Sequence, residues 1–247
     1  GLSIAGFDFT KLGTKEMVTN TYTVSESFTN ISVDAITADI AFAASEDGMK
    51  VDPKSLKEFN NSVVGAEINL LLTGEYAWRK PNTDVAAGNA GMIIRPTQYT
   101  MADMFKSAGY ATGAFGKWHL GLGAQTGKQD WNKPISPALP DIGFDYSYIM
   151  AATADRVPCV FLENSTVANY DPSAPIYVNY NQNFEGEPTG RNNPELLYNL
   201  KSSHGHDYSI INGIGRIGYM KGGGKALWKD ENIADSITAH AVDFIRE

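Results

Sequence analysis

The chain holds a single cysteine, Cys159, in 247 residues, which excludes an intramolecular disulfide framework. It lies in the apolar run Val157-Pro158-Cys159-Val160-Phe161, where a free cysteine behaves as a small buried hydrophobe. No neighbouring histidine or helix start is present in the sequence to activate its thiol. Positive charge is also scarce: 20 Lys and Arg stand against 28 Asp and Glu, for a formal net charge of -8. That balance argues against general binding to a nucleic-acid backbone and leaves room only for a local basic pocket. No window approaches the roughly 18 apolar residues needed to cross a membrane. A charged-then-apolar leader is not visible at Gly1, and a removed signal would leave the same sequence. Internal repeats and low-complexity tracts are lacking too. At 43% hydrophobic and 19% charged residues, disorder of the whole chain is excluded.

What is present changes in texture near residue 65. The stretch Thr19 to Ala44 is rich in Thr, Val, Ile, Ser and Phe with partial alternation, which predicts short β-strands. Residues 1–64 are therefore read as a β-rich segment, and residues 65–247 as a separate α/β region. In the second region Thr100 is positioned to cap a helix, Met101 to Ala108, with Gly109 as its stop. A strand from Tyr110 to Phe115 follows directly, the helix-to-strand step of an α/β sheet. Residues 121–141 read as a long surface loop, while Asp141 to Ala151 and Arg156 to Leu162 read as strands. Residues 168–193, rich in Asn, Pro and Tyr, read as irregular. The clearest helix is Glu231 to Arg246, with Ile233, Ile237, Ala241 and Ile245 at four-residue steps and Phe244 beside them.

The stretch most specific for chemistry is Gly109 to Gly121, G-Y-A-T-G-A-F-G-K-W-H-L-G. In an extended segment residues two apart share a face, so Lys117 and His119 would converge on one spot that glycines allow backbone to approach. A cation beside an imidazole suits an anionic group; a solvated turn anchored by Trp118 is the plainer alternative. The run resembles the second signature of the sulfatases. Leu71-Leu72-Thr73-Gly74 resembles the close of their first signature, C/S-x-P-S-R-x-x-L-L-T-G. Ile142-Gly143-Phe144-Asp145-Tyr146, Ala154-Asp155-Arg156-Val157-Pro158, Ser203-His204-Gly205-His206-Asp207 and the final helix also resemble sulfatases, especially a bacterial carbohydrate-sulfatase subgroup.

The resemblance covers residues 70 to 247 and implies a truncated alkaline-phosphatase/sulfatase-like mixed sheet flanked by helices. It implies hydrolysis of sulfate esters, on a sulfated small molecule or carbohydrate, by a protein of the periplasm or exterior. Lys117 would then stabilise the sulfate oxygens, and His119 would hydrogen-bond or deprotonate a hydrated formylglycine. Calcium is the metal the family implies, and its ligands are not identifiable in this sequence: the paired N-terminal aspartates have no counterpart, and Asp8 sits in unlike surroundings. Counting back from Gly74, Val64 stands where the cysteine or serine precursor of formylglycine belongs. The chain is thus expected to be inactive or a fragment, with a non-catalytic sulfated-glycan binding module as the alternative.

Three further residues are candidates for the substrate pocket. Arg156 suits sulfate by its guanidinium geometry, or forms a salt bridge to Asp155 or Glu163. His204 and His206 share a face if their segment is extended, as polar loop, substrate contacts or metal ligands. Gly213 to Gly218 formally spells G-x-G-x-x-G, but Gly222-Gly223-Gly224 interrupts the helix that a dinucleotide site requires.

Overall fold

The computed structural model describes residues 3–4, 7–8, 71–74, 86–203 and 205–247. The chain divides into two units, the larger being Asn69–Arg79 with Val85–Glu247. Outside that unit the described residues are the strands β1 (Ser3–Ile4) and β2 (Phe7–Asp8), an antiparallel pair. The rest of the β-rich reading, and Val64 with it, lies outside the described residues.

In the larger unit Leu71 to Thr73 are helical, and Gly74 follows with φ 69°. Helix α1 (Met101–Ser107) begins where Thr100 predicts. The Thr100 hydroxyl oxygen accepts from the Asp103 amide at 3.1 Å, and the Asp103 carboxylate accepts from the Thr100 amide at 2.9 Å. Two amides that the first turn cannot bond internally are thereby satisfied. The same Thr100 hydroxyl donates to the Ile142 carbonyl at 2.8 Å, tying the helix start to the turn that leads into the strand Tyr146–Met150.

The central sheet is mixed, in the order β3 (Gly113–Lys117), β4 (Tyr146–Met150), β5 (Phe161–Glu163), β6 (Thr166–Val167). Strands β3 and β4 run parallel, and the other two pairs run antiparallel. β3 starts later than its sequence pattern suggests, because Thr112 is taken by a corner. Its hydroxyl donates to the Gly143 carbonyl at 2.7 Å, and its amide donates to the Asp145 carboxylate at 3.0 Å. That corner fixes the register, Gly113 opposite Tyr146 through Lys117 opposite Met150. Ser147 to Met150 of β4 are all buried, as expected of a strand covered on both faces.

Further on, β7 (Tyr177–Asn179) lies within a stretch read as irregular and pairs antiparallel with β10 (Tyr219–Lys221). β8 (Ile210–Ile211) and β9 (Ile214–Gly215) form a hairpin around Asn212-Gly213, both with positive φ as a primed turn requires. Helix α2 (Ile233–Arg246) packs on β3 and β4. His240 stacks on Tyr148 at 3.6 Å between ring centroids, and Phe244 lies 5.6 Å from Phe115. The docked stripe runs through Ile233, Ile237, His240, Ala241 and Phe244, whereas Ile245 is 78% exposed. At 3.6 residues per turn, four-residue steps drift around the helix, and three of them carry Ile245 off the packed face.

Replacing Thr100 with alanine removes the cap and orphans the Ile142 carbonyl. Urea unfolding of Thr100→Ala should show a loss of about 1–2 kcal/mol, with Thr100→Ser close to the parent. Equal stability of Thr100→Ala and the parent would refute this account of the helix start.

Candidate functional site

The carboxyl ends of the parallel strands β3 and β4 lie side by side, the place where open α/β sheets present ligand sites. Lys117 is the last residue of β3 and is exposed. It forms no ion pair with any described residue. Beyond it the strand ends: the Trp118 amide donates to Met150 and the His119 amide to Ala151, at 3.0 and 3.1 Å. His119 then adopts φ 59°, a left-handed conformation costing about 1–3 kcal/mol that persists only where its surroundings fix it. The expectation that Lys117 and His119 share the face of one extended segment is corrected accordingly. Lys117 ends the strand, and His119 turns inward past it.

Trp118 supplies the anchor for this turn. It is buried, its indole N–H donates to the Gly121 carbonyl at 2.8 Å, and its ring meets the edge of Phe144. The imidazole of His119 is buried as well, with Nε2 2.8 Å from the Ala86 carbonyl oxygen. A carbonyl only accepts, so Nε2 carries the hydrogen and Nδ1 is the basic nitrogen. Burial holds the His119 pKa below its ordinary value; the Ala86 bond opposes this, while the charges of Arg156 and Lys117 reinforce it. The two cations thus bear on the one imidazole, which stays neutral at pH 7.

Arg156 arrives on the loop after β4. The side-chain hydrogen bonds of Arg156 to described residues run through Nη1, to Thr153 Oγ1 at 3.0 Å and to the Asp155 carboxylate at 3.2 and 3.3 Å. Of the two salt bridges considered, the one to Asp155 forms, and Glu163 instead accepts from the Tyr146 hydroxyl at 2.8 Å. Nε and Nη2 of Arg156 have no partner among the described residues, so the guanidinium keeps two donors for a ligand.

His206 donates from Nε2 to Asp155 Oδ2 at 2.9 Å. Its segment is a turn, with the His206 amide bonded to the Ser203 carbonyl at 2.9 Å and Gly205 at φ 73°. The pairing of His204 with His206 on one face involves His204, which lies outside the described residues. Burial raises the Asp155 carboxyl, but bonds from Thr153 and His206 and the Arg156 charge hold it below its ordinary value.

Tyr180, in the stretch read as irregular, completes the loop framework. Its hydroxyl donates to the Val157 carbonyl at 2.7 Å and accepts from the Gly88 amide at 2.9 Å. A Cβ at Gly88 would overlap that same carbonyl oxygen, so glycine is required there. Cys159 is fully buried, and burial pushes its thiol up to about 12, as inert as its sequence setting implies. Among the described residues no three of His, Cys, Asp and Glu converge to hold a metal ion.

No family model matches the chain. An N-acetylgalactosamine-6-O-sulfatase of Bacteroides thetaiotaomicron is 57% identical over 175 residues, covering 71% of this chain and 34% of that protein. A solved chain from a study of how Bacteroides thetaiotaomicron metabolises multiple glycosaminoglycans shares 55% identity with a TM-score of 0.70. It covers 73% of this chain and 37% of its own length. The chain spans about a third of the length of these relatives.

The burial of His119 has a consequence for stability. An unfolded chain protonates this histidine near pH 6.5, while the folded one resists until a lower pH. Between those values the unfolded state binds more protons, so stability falls as pH drops below about 6.5. His119→Gln keeps a donor for the Ala86 carbonyl and cannot titrate. Its thermal midpoint should vary less between pH 7 and pH 5 than the parent's, and an equal slope would refute the assignment. The Asp155 contribution is separate, being lost only as pH falls below about 3.8.

Proposed function

We propose, for a chain that belongs to the sulfatase family, that it forms the sulfate-gripping wall of a carbohydrate sulfatase site. Its ligand class is an N-acetylgalactosamine bearing a 6-O-sulfate, the chemistry named for its 57% identical relative. The observation that carries this reading is the side-by-side ending of β3 and β4, with the charges of Lys117 and Arg156 both acting on the buried His119 imidazole. Two cations there offset the charge of a sulfate group. Arg156 offers Nε and Nη2 in a fork that matches two sulfate oxygens, and Lys117 offers a mobile point charge. His119, with Nδ1 unprotonated at pH 7, can accept a proton from an attacking hydroxyl.

In the parent reaction, attack at sulfur releases the sugar alcohol and transfers the sulfuryl group, and the family's formylglycine supplies the nucleophile. Val64 occupies the corresponding position, and an isopropyl side chain cannot be oxidised to that aldehyde. This chain accordingly binds the sulfated sugar without turning it over. The same cluster of cations supports the binding-module reading, which differs only in whether a parent enzyme exists.

Calorimetry with N-acetylgalactosamine 6-sulfate should detect binding, and Lys117→Ala should weaken it roughly tenfold, the scale of one charge-assisted hydrogen bond. Absence of binding, or equal affinity in Lys117→Ala, would sink the anion-site reading. Sulfate release from the same ligand in the presence of calcium should stay at buffer background. Release above it would sink the reading of Val64.

A further inference from the structure

The G-x-G-x-x-G spelling of Gly213 to Gly218 has a structural use unrelated to nucleotides. After β9 the chain runs as a strap between two segments of the site. On one side the Ile217 amide donates to the Asp155 carbonyl at 2.8 Å, and the Val157 amide donates to the Ile217 carbonyl at 3.1 Å. On the other, the Tyr208 amide donates to the Arg216 carbonyl at 3.1 Å, and the Arg216 amide donates to the Ser209 carbonyl at 2.8 Å. The first segment carries Asp155 and Arg156; the second leads out of His206. A Cβ at Gly215 would overlap the His206 carbonyl oxygen, so the strap fits only as glycine there.

Arg216 is the side chain at the centre of this strap, and it is 1% exposed. Its Nη1 donates to the Ala154 carbonyl at 2.6 Å and to Asp230 Oδ1 at 2.9 Å. Its Nη2 donates to the Ile211 carbonyl at 2.9 Å and to Asp230 Oδ2 at 2.7 Å. Asn212 adds a bond to Asp230 Oδ2 at 2.8 Å. Nε is buried without a partner. A buried ion pair with an orphaned donor is a poor source of stability, since packed apolar residues do as well or better. What it does supply is direction: a bidentate clamp fixes the guanidinium plane, and that plane fixes the carbonyl next to Asp155.

We propose that Arg216 is a positioning residue for the anion site: clamped by Asp230, it holds the Ala154 carbonyl and so sets the turn that presents Arg156 and the Asp155–His206 pair. The proposal rests on the anion-site reading above. A lysine at 216 keeps the charge but cannot hold the clamp and the carbonyl in one plane.

The test is a double-mutant cycle on the full chain, using calorimetry with N-acetylgalactosamine 6-sulfate and thermal midpoints for Arg216→Lys, Arg156→Lys and the pair. Arg216→Lys should weaken binding roughly tenfold, on the scale of coupling within one hydrogen-bond network. In the Arg156→Lys background most of that loss should vanish, while the fall in thermal midpoint is the same in both backgrounds. Additive losses of affinity, or no loss in Arg216→Lys, would overturn the positioning role. Wild-type affinity in Arg156→Lys would instead remove the anion-site reading itself. Should Arg216→Lys fail to fold, Asp230→Asn, of equal size and neutral, enters the same cycle under the same criteria.

Discussion

The parallel pairing of β3 with β4 is the constraint on which the rest depends. Its register sets Lys117 opposite Met150, so both strands end at the same level and their outgoing loops emerge together. Lys117 closes β3 and His119 lies just beyond it, while Asp155 and Arg156 come from the loop after β4. A slip of one residue would turn every side chain of β3 to the opposite face, and the cations would separate. The Thr112–Asp145 corner prevents that slip at the amino ends. Lys106 neutralises the Asp145 carboxylate from α1. Register at one end of the sheet thus becomes site geometry at the other.

At the ligand end, order is imposed by backbone capture. Met150 and Ala151 carbonyls accept from Trp118 and His119, extending the ladder past the strand and forcing the left-handed turn at His119. The charges of Lys117 and Arg156 both disfavour protonation of the buried His119 imidazole, while Asp155 pairs with Arg156 and opposes them.

Much of this was legible in sequence. The small-residue run ending in Lys117 and His119, the capped start of α1 and the amphipathic pattern of α2 each rest on neighbours within a few residues, where local rules hold. Arg156 was visible by type, with its two possible roles unresolved. Three long-range contacts escaped. Tyr180 bonds to Gly88 across 92 positions, His206 meets Asp155 across 51, and Arg216 reaches Ala154 across 62; no periodicity encodes such separations. The left-handed turn at His119 escaped as well, because a histidine there is set by the surrounding carbonyls and not by its own preference. For Arg216 a weak signal did exist, an arginine inside a glycine-spaced run that no nucleotide motif could use.

The docking of α2 carries a consequence for motion. A helix of 14 residues is marginal in water when isolated, so its persistence depends on Tyr148, Tyr146 and Phe115 holding His240 and Phe244. The Tyr146 hydroxyl also lies 2.8 Å from His240 Nδ1 and donates to Glu163 at the same distance, so one phenol latches the helix to two strands. Backbone amides along α2 will therefore exchange with solvent deuterium at a common rate, that of the aromatic latch letting go. The helix behaves as one opening unit whose clock is set by three rings on the sheet beneath it.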